Sequence, residues 1–248
     1  MPLLTAVLRT ALLLSLSSAL GAVHAAPPPG PPRAAPHTVP DTLAQRMLVC
    51  TACHGAEGRA TPDGYFPRIA GKPAGYLHNQ LRHFRDGRRQ AVGMTALLDP
   101  LTDDYLREIA EHFASLDLPY PPPPPTPADA ATLARGERLV RQGDPARQLP
   151  SCNSCHGERM TGVQPGIPGL LGLPRDYLIG QLGAWQTGMR RATAPDCMAD
   201  IARRLSGADV GAVAAWLAAQ PVPADAKPAA GLPGPLPLRC GPDAGVFR

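Results

Sequence analysis

The chain has 248 residues, a formal net charge of +4 and only 4% aromatic residues. No charge block marks a nucleic-acid surface, and no apolar run past the first residues approaches the roughly 18 needed for a membrane-spanning helix. Aromatic side chains are thin for two independent cores of this size.

Arg9 precedes an apolar run through Leu20, and Val23-His24-Ala25 offers a small-residue cleavage site. This reads as a secretory signal peptide over residues 1–25, exporting the mature chain to the periplasm. Removal of Arg9 reduces the formal charge from +4 to +3. Residues 26–40 form a Pro-rich leader. Two segments follow, 41–118 and 128–220, separated by a Pro-rich linker over 119–127 with five consecutive prolines. Such a run favours an extended, semi-rigid spacer. Residues 221–248 form a Pro/Gly-rich tail without helical periodicity.

The two segments are copies. Between Pro67 and Arg89 nine residues recur 101 positions later: Pro67/Pro168, Gly71/Gly172, Pro73/Pro174, Tyr76/Tyr177, Leu77/Leu178, Gln80/Gln181, Leu81/Leu182, Gly87/Gly188 and Arg89/Arg190. An internal duplication accounts for this agreement. Each copy reads as all-α. Helical stretches precede the cysteine motifs at Thr42–Leu48 and Ala130–Val140. Thr102, and the capping box Ser206-Gly207-Ala208-Asp209, open the last helix of each copy, where apolar residues recur at i, i+3, i+4 and i+7. Neither copy shows sustained two-residue alternation, so no substantial sheet is expected.

Each copy carries one C-x-x-C-H pentapeptide, Cys50-Thr51-Ala52-Cys53-His54 and Cys152-Asn153-Ser154-Cys155-His156. Two thiols one helical turn apart can each form a thioether to a haem vinyl group, and the next imidazole reaches the iron. Cys50, Cys53, Cys152 and Cys155 are therefore the expected attachment points of two covalent haem c groups, with His54 and His156 as proximal ligands. His156 is the only histidine of the second copy and tail, which leaves Met160, Met189, Met198 and Cys197 as distal candidates there. Met94 and Met198 both stand eight residues before the capped last helix, and this correspondence selects them. Met47, His78, His83 and His112 lack second-copy counterparts. Pro67 and Pro168 are expected to accept the proximal imidazole N–H. Tyr76, Gln80 and Phe84, like Tyr177, Gln181 and Trp185, share one helical face and are expected around the haem. Cys197 and Cys240, left over in an oxidising compartment, are expected to pair and tie down the loop carrying Met198.

On the paired motifs, the Y-L-x-x-Q-L stretches at Tyr76 and Tyr177, the trailing Gly-x-Arg and the methionines before the last helix, the chain resembles the cytochrome c4 family. The resemblance implies two class I cytochrome c domains related by a pseudo-twofold and two low-spin His/Met haems meeting near the domain interface. It implies an electron carrier, not an enzyme, exchanging electrons with a redox donor and acceptor such as a membrane-bound terminal oxidase. Two alternatives stand beside it: a dihaem subunit of a dehydrogenase such as a sulfide-oxidising flavocytochrome, and a thiosulfate-oxidising dihaem enzyme. The long linker, the tail, Cys197 and Cys240 depart from the family pattern and leave the closeness of domain packing open.

Overall fold

A computed structural model describes residues 40–245. The signal peptide, the Pro-rich leader and the last three residues of the tail lie outside the described residues. The first copy contains α1 (Leu43–Arg46), α2 (Leu48–His54), α3 (Ala74–Arg85), α4 (Val92–Leu98) and α5 (Asp103–Ser115). The second contains α6 (Ala130–Arg141), α7 (Asn153–His156), α8 (Arg175–Gln186), α9 (Cys197–Arg204) and α10 (Gly207–Ala219). The only strands among the described residues are β1 (Gly162–Val163) and β2 (Ile167–Pro168), an antiparallel pair too short to be a layer.

Helix starts follow local chemistry. Thr42, Thr102, Asp129 and Asp196 each accept a backbone N–H of the first turn of α1, α5, α6 and α9. Ser206 and Asp209 close a reciprocal box at α10. Such caps satisfy donors that have no partner inside the helix. In the first copy α3 packs on α5, burying Leu77, Phe84, Leu106, Ile109, Ala110 and Phe113 together with Met47 and Leu98. In the second, α10 packs on α6 and α8 around Leu139, Val140, Leu178, Leu182, Val213, Trp216 and Leu217.

Three regions add to the sequence reading. Met198, expected on a loop, lies in the first turn of α9, and Met94 lies within α4. The start of the linker is anchored: Arg68 donates to the carbonyls of Leu118 and Pro119 and stacks 3.8 Å over the Tyr120 ring. The tail also packs, pairing Ala229 with β1 through Gln164 N–H (2.8 Å) and Gly162 C=O (2.9 Å).

The two copies meet at the turns that follow α3 and α8. Arg89 and Arg190 face each other in an antiparallel bridge flanked by Gln90 N–H to Met189 C=O (3.1 Å) and Arg191 N–H to Arg88 C=O (2.8 Å).

Candidate haem sites

Each C-x-x-C-H motif ends a helix, α2 or α7, and the helix ends because the next residue is Gly55 or Gly157 at positive φ, 75° and 83°. A side chain at Gly55 would collide with the Ala60 carbonyl. The chain therefore turns sharply after each histidine. The turn brings Pro67 C=O to 2.8 Å from His54 Nδ1 and Pro168 C=O to 2.7 Å from His156 Nδ1. A carbonyl can only accept, so Nδ1 carries the proton and the Nε2 lone pair is left free to bind a metal.

Both imidazoles are buried, and burial lowers their pKa against the opposing pull of the proline carbonyl. They are thus neutral at pH 7, the form that ligates. None of the four motif cysteines is in a disulfide, so each sulfur is available for a thioether. Cys50 and Met94 pack against the first core, Cys152 and Met198 against the second. Each core thus brings a motif cysteine together with a half-buried methionine, Met94 or Met198, beside a second, fully packed one, Met47 or Met160. Met47 is 2% exposed and Met160 3%, both filled into cores, while Met189 stands in solvent.

The Tyr and Gln residues expected to surround the haem converge on a cluster that crosses the domain interface. Arg89 donates to Gln80 Oε1 (3.1 Å), Tyr177 Oη (2.9 Å) and Gln181 Oε1 (2.6 Å). Arg190 mirrors it, donating to Gln181 Oε1 (2.8 Å), Tyr76 Oη (3.3 Å) and Gln80 Oε1 (2.9 Å). Each guanidinium stacks on its own domain's aromatic, Arg89 4.5 Å from Phe84 and Arg190 3.8 Å from Trp185. Burial opposes the charge on Arg190 and the neighbouring Arg89 adds to that, lowering its pKa. Burial also disfavours ionisation of Tyr76, but the charges of Arg190 and Arg89 outweigh it and draw the phenol below its ordinary value.

Two buried cations with no carboxylate within 4 Å, among the described residues, are costly unless an anion joins them. Trp185 Nε1 is likewise buried without an acceptor. A haem carries two carboxylates, so the cations and the orphaned donor fit that group, as do the motif cysteines, outside any disulfide, and the imidazoles. The sequence flagged Arg89 and Arg190 only as repeats. Their role depends on a contact about 100 residues away, for which no local pattern exists.

The comparisons agree with this chemistry. The chain is 38% identical over 173 residues to a thiosulfate dehydrogenase electron acceptor of Thiomonas intermedia, covering 70% of this chain and 79% of that one. It is 35% identical over 174 residues to cytochrome c4 of Pseudomonas aeruginosa, covering 69% and 84%. The structure of reduced recombinant cytochrome c4 from Pseudomonas stutzeri superposes with a TM-score of 0.60 at 32% identity, over 69% of this chain and 93% of that one. The chain belongs to the cytochrome c4 family. No family model matches the sequence. Membership carries the all-α class I cytochrome fold, two covalently bound haem c groups and the role of electron carrier. No helix among the described residues is long and apolar enough to cross a membrane.

Proposed function

We propose that this cytochrome c4 homologue works in the periplasm, delivered there by the signal peptide over residues 1–25, as a two-haem relay between a dehydrogenase and a terminal oxidase. Cys50 and Cys53 hold the first haem, Cys152 and Cys155 the second. His54 and His156 are the proximal ligands, oriented by Pro67 and Pro168, and Met94 and Met198 close the opposite faces. The bound haems supply one-electron ferric/ferrous chemistry, and a methionine sulfur raises the potential relative to a second imidazole.

The observation that carries the reading is the repeated pair of imidazole-to-proline hydrogen bonds, each beside a core against which a motif cysteine and the corresponding half-buried methionine, Met94 or Met198, both pack. On each iron the protein would supply two ligands, both carried by helices, which would leave little to rearrange on electron transfer. Arg89 and Arg190 hold the haem carboxylates in the interface, while Tyr76, Tyr177, Gln80 and Gln181 keep both guanidiniums in place and exclude water between the domains.

The name of the Thiomonas relative supports a donor of the thiosulfate dehydrogenase kind. Mixing the oxidised protein with such a dehydrogenase and thiosulfate, with the haem α-bands followed in time, tests this. Reduction of both haems within the turnover time of the donor is expected. No reduction by this donor, with rapid reduction by a quinol-linked dehydrogenase, would reject it. The alternative of a firmly bound dehydrogenase subunit predicts co-elution with the dehydrogenase on size exclusion of native periplasmic extract, whereas a free carrier runs alone.

A further inference from the structure

The tail returns to the molecule at a place the duplication does not provide for. Cys240 is disulfide-bonded to Cys197, the first residue of α9 and the neighbour of Met198. One residue on, Gly241 N–H donates to Pro195 C=O at 2.8 Å. Asp243 then spans both domains. Its carboxylate accepts from Thr193 N–H (2.5 Å), on the segment leading into α9, and lies 3.0 Å from His83 Nε2 on α3 of the first domain. Its carbonyl accepts from Asn79 Nδ2 (3.2 Å), also on α3. The carbonyl of His83 in turn accepts the Arg89 backbone N–H at 2.9 Å. A single carboxylate thus couples the Met198-bearing segment to the turn that carries one of the interface arginines.

Among the described residues the first domain has no equivalent. Its α4 starts at Ala91 with no side-chain cap, and Val92 beside it is 91% exposed. In the second domain α9 is capped by Asp196, cross-linked through Cys197 and held down at Pro195 and Thr193.

We propose that residues 239–245 are a positioning strap that holds the Met198 helix against its haem and against the first domain, so that one of the two distal ligands is guarded and the other is not. The inference rests on methionine ligation as read above. A ligand sulfur leaves iron more readily where its helix can swing out. At α9 that motion must stretch the segment between Thr193 and Cys197, which the disulfide and Asp243 fix at both ends. At α4 nothing comparable among the described residues resists it. Cys240, Gly241 and Asp243 act through Met198, as positioning residues, and touch no reacting atom.

Imidazole is a direct probe, because it competes with the methionine sulfur for ferric iron. The full-length dihaem protein is titrated with imidazole while the far-red methionine–iron band is followed. The parent is expected to lose the band in two phases, the weaker-binding phase belonging to the second domain, as assigned by its absence in Met198→Ala. In the double variant Cys197→Ser/Cys240→Ser that phase moves to about 10–100-fold lower imidazole, the usual penalty for losing an outer support of a metal ligand. The first-domain phase stays put. Asp243→Asn, which keeps the side-chain shape, moves the same phase in the same direction, and serves if the serine variant fails to fold. Unchanged phases in both variants, or equal shifts of both haems, would overturn the strap. A parent without any far-red band would overturn methionine ligation itself, and the strap with it.

Discussion

Asp209 is fully buried and yet ionised, because its carboxylate does three jobs at once. It closes the capping box with Ser206 (2.9 Å and 2.7 Å) and receives Arg147 (2.7 Å) and Arg135 (2.7 Å). Burial works against its charge, but the hydrogen bonds from Arg147, Ser206 and Arg135 outweigh it and hold the carboxyl well below the ordinary carboxylate range. Asp243 behaves alike: burial is outweighed by His83 and Thr193, and its pKa falls to about 2. A depressed folded pKa gives stability that is complete above the unfolded value near 3.9 and drains away as pH falls through the folded one. Denaturation midpoints should therefore hold steady down to about pH 4 and then drop. Asp209→Asn should cost about 2–3 kcal/mol at pH 7, the half-exposed arginines recovering part of their hydration. Its stability should also fall less than the parent's between about pH 4 and pH 2. The box itself was legible in Ser206 and Asp209, three residues apart. The arginines were not, since they lie 62 and 74 residues away in the chain. The proposed axial pair is tested at this scale too: Met94→Ala and Met198→Ala should each remove the far-red band of one haem and lower that haem's potential.

Among the elements, the two copies differ most at their first helices. α6 has twelve residues and lies along α10, whereas α1 has four and is interrupted at Met47. The close approach of α6 to α10 depends on Gly136, where a side chain would collide with the Ala212 carbonyl and come within 2.7 Å of Trp216 Cβ. Gly136→Ala gains helix propensity, worth up to about 1 kcal/mol, but must push two packed helices apart. Overpacking wins, so a net loss of about 1–2 kcal/mol and a lower thermal midpoint are expected. The methionine–iron bands should be unaffected, because α6 carries no ligand. Periodicity and caps made the long helices legible: Leu106, Ile109, Ala110 and Phe113 form the buried stripe of α5 as their spacing requires. It could not show that the methionine segments are helical, since α4 and α9 are short and their apolar residues answer to α3 and α8. The tail was legible only at its disulfide, since Cys197 and Cys240 were left over as a pair. Its prolines forbid a helix, and the rest of its order comes from backbone pairing with β1 and from Asp243, whose partners are distant in sequence.

At the scale of the whole molecule, the duplication put the same Gly-x-Arg on each domain, and the pseudo-twofold brings the two copies together. Like charges so placed repel, and four neutral oxygens from Tyr76, Tyr177, Gln80 and Gln181 soften this without cancelling it. A positive pair of this kind favours the ferrous over the ferric state of any iron nearby, because reduction removes a positive charge from the neighbourhood. With an effective dielectric of about 20, one guanidinium at about 10 Å contributes on the order of 1–2 kcal/mol, or tens of millivolts. Arg190→Gln should consequently lower both haem potentials, where a domain-local charge would lower one. Arg89→Gln should act alike, because each arginine bonds side chains of both domains. The double variant tests whether the pair also holds the domains together. With the two cations holding haem carboxylates as proposed, their joint removal would leave those carboxylates unpaired, so its domains should part on the Pro-rich linker, raising the radius of gyration in small-angle scattering and slowing electron exchange between the haems. Potentials that move at only one haem, with an unchanged scattering profile in the double variant, would assign Arg89 and Arg190 to separate domains and deny them the joint role.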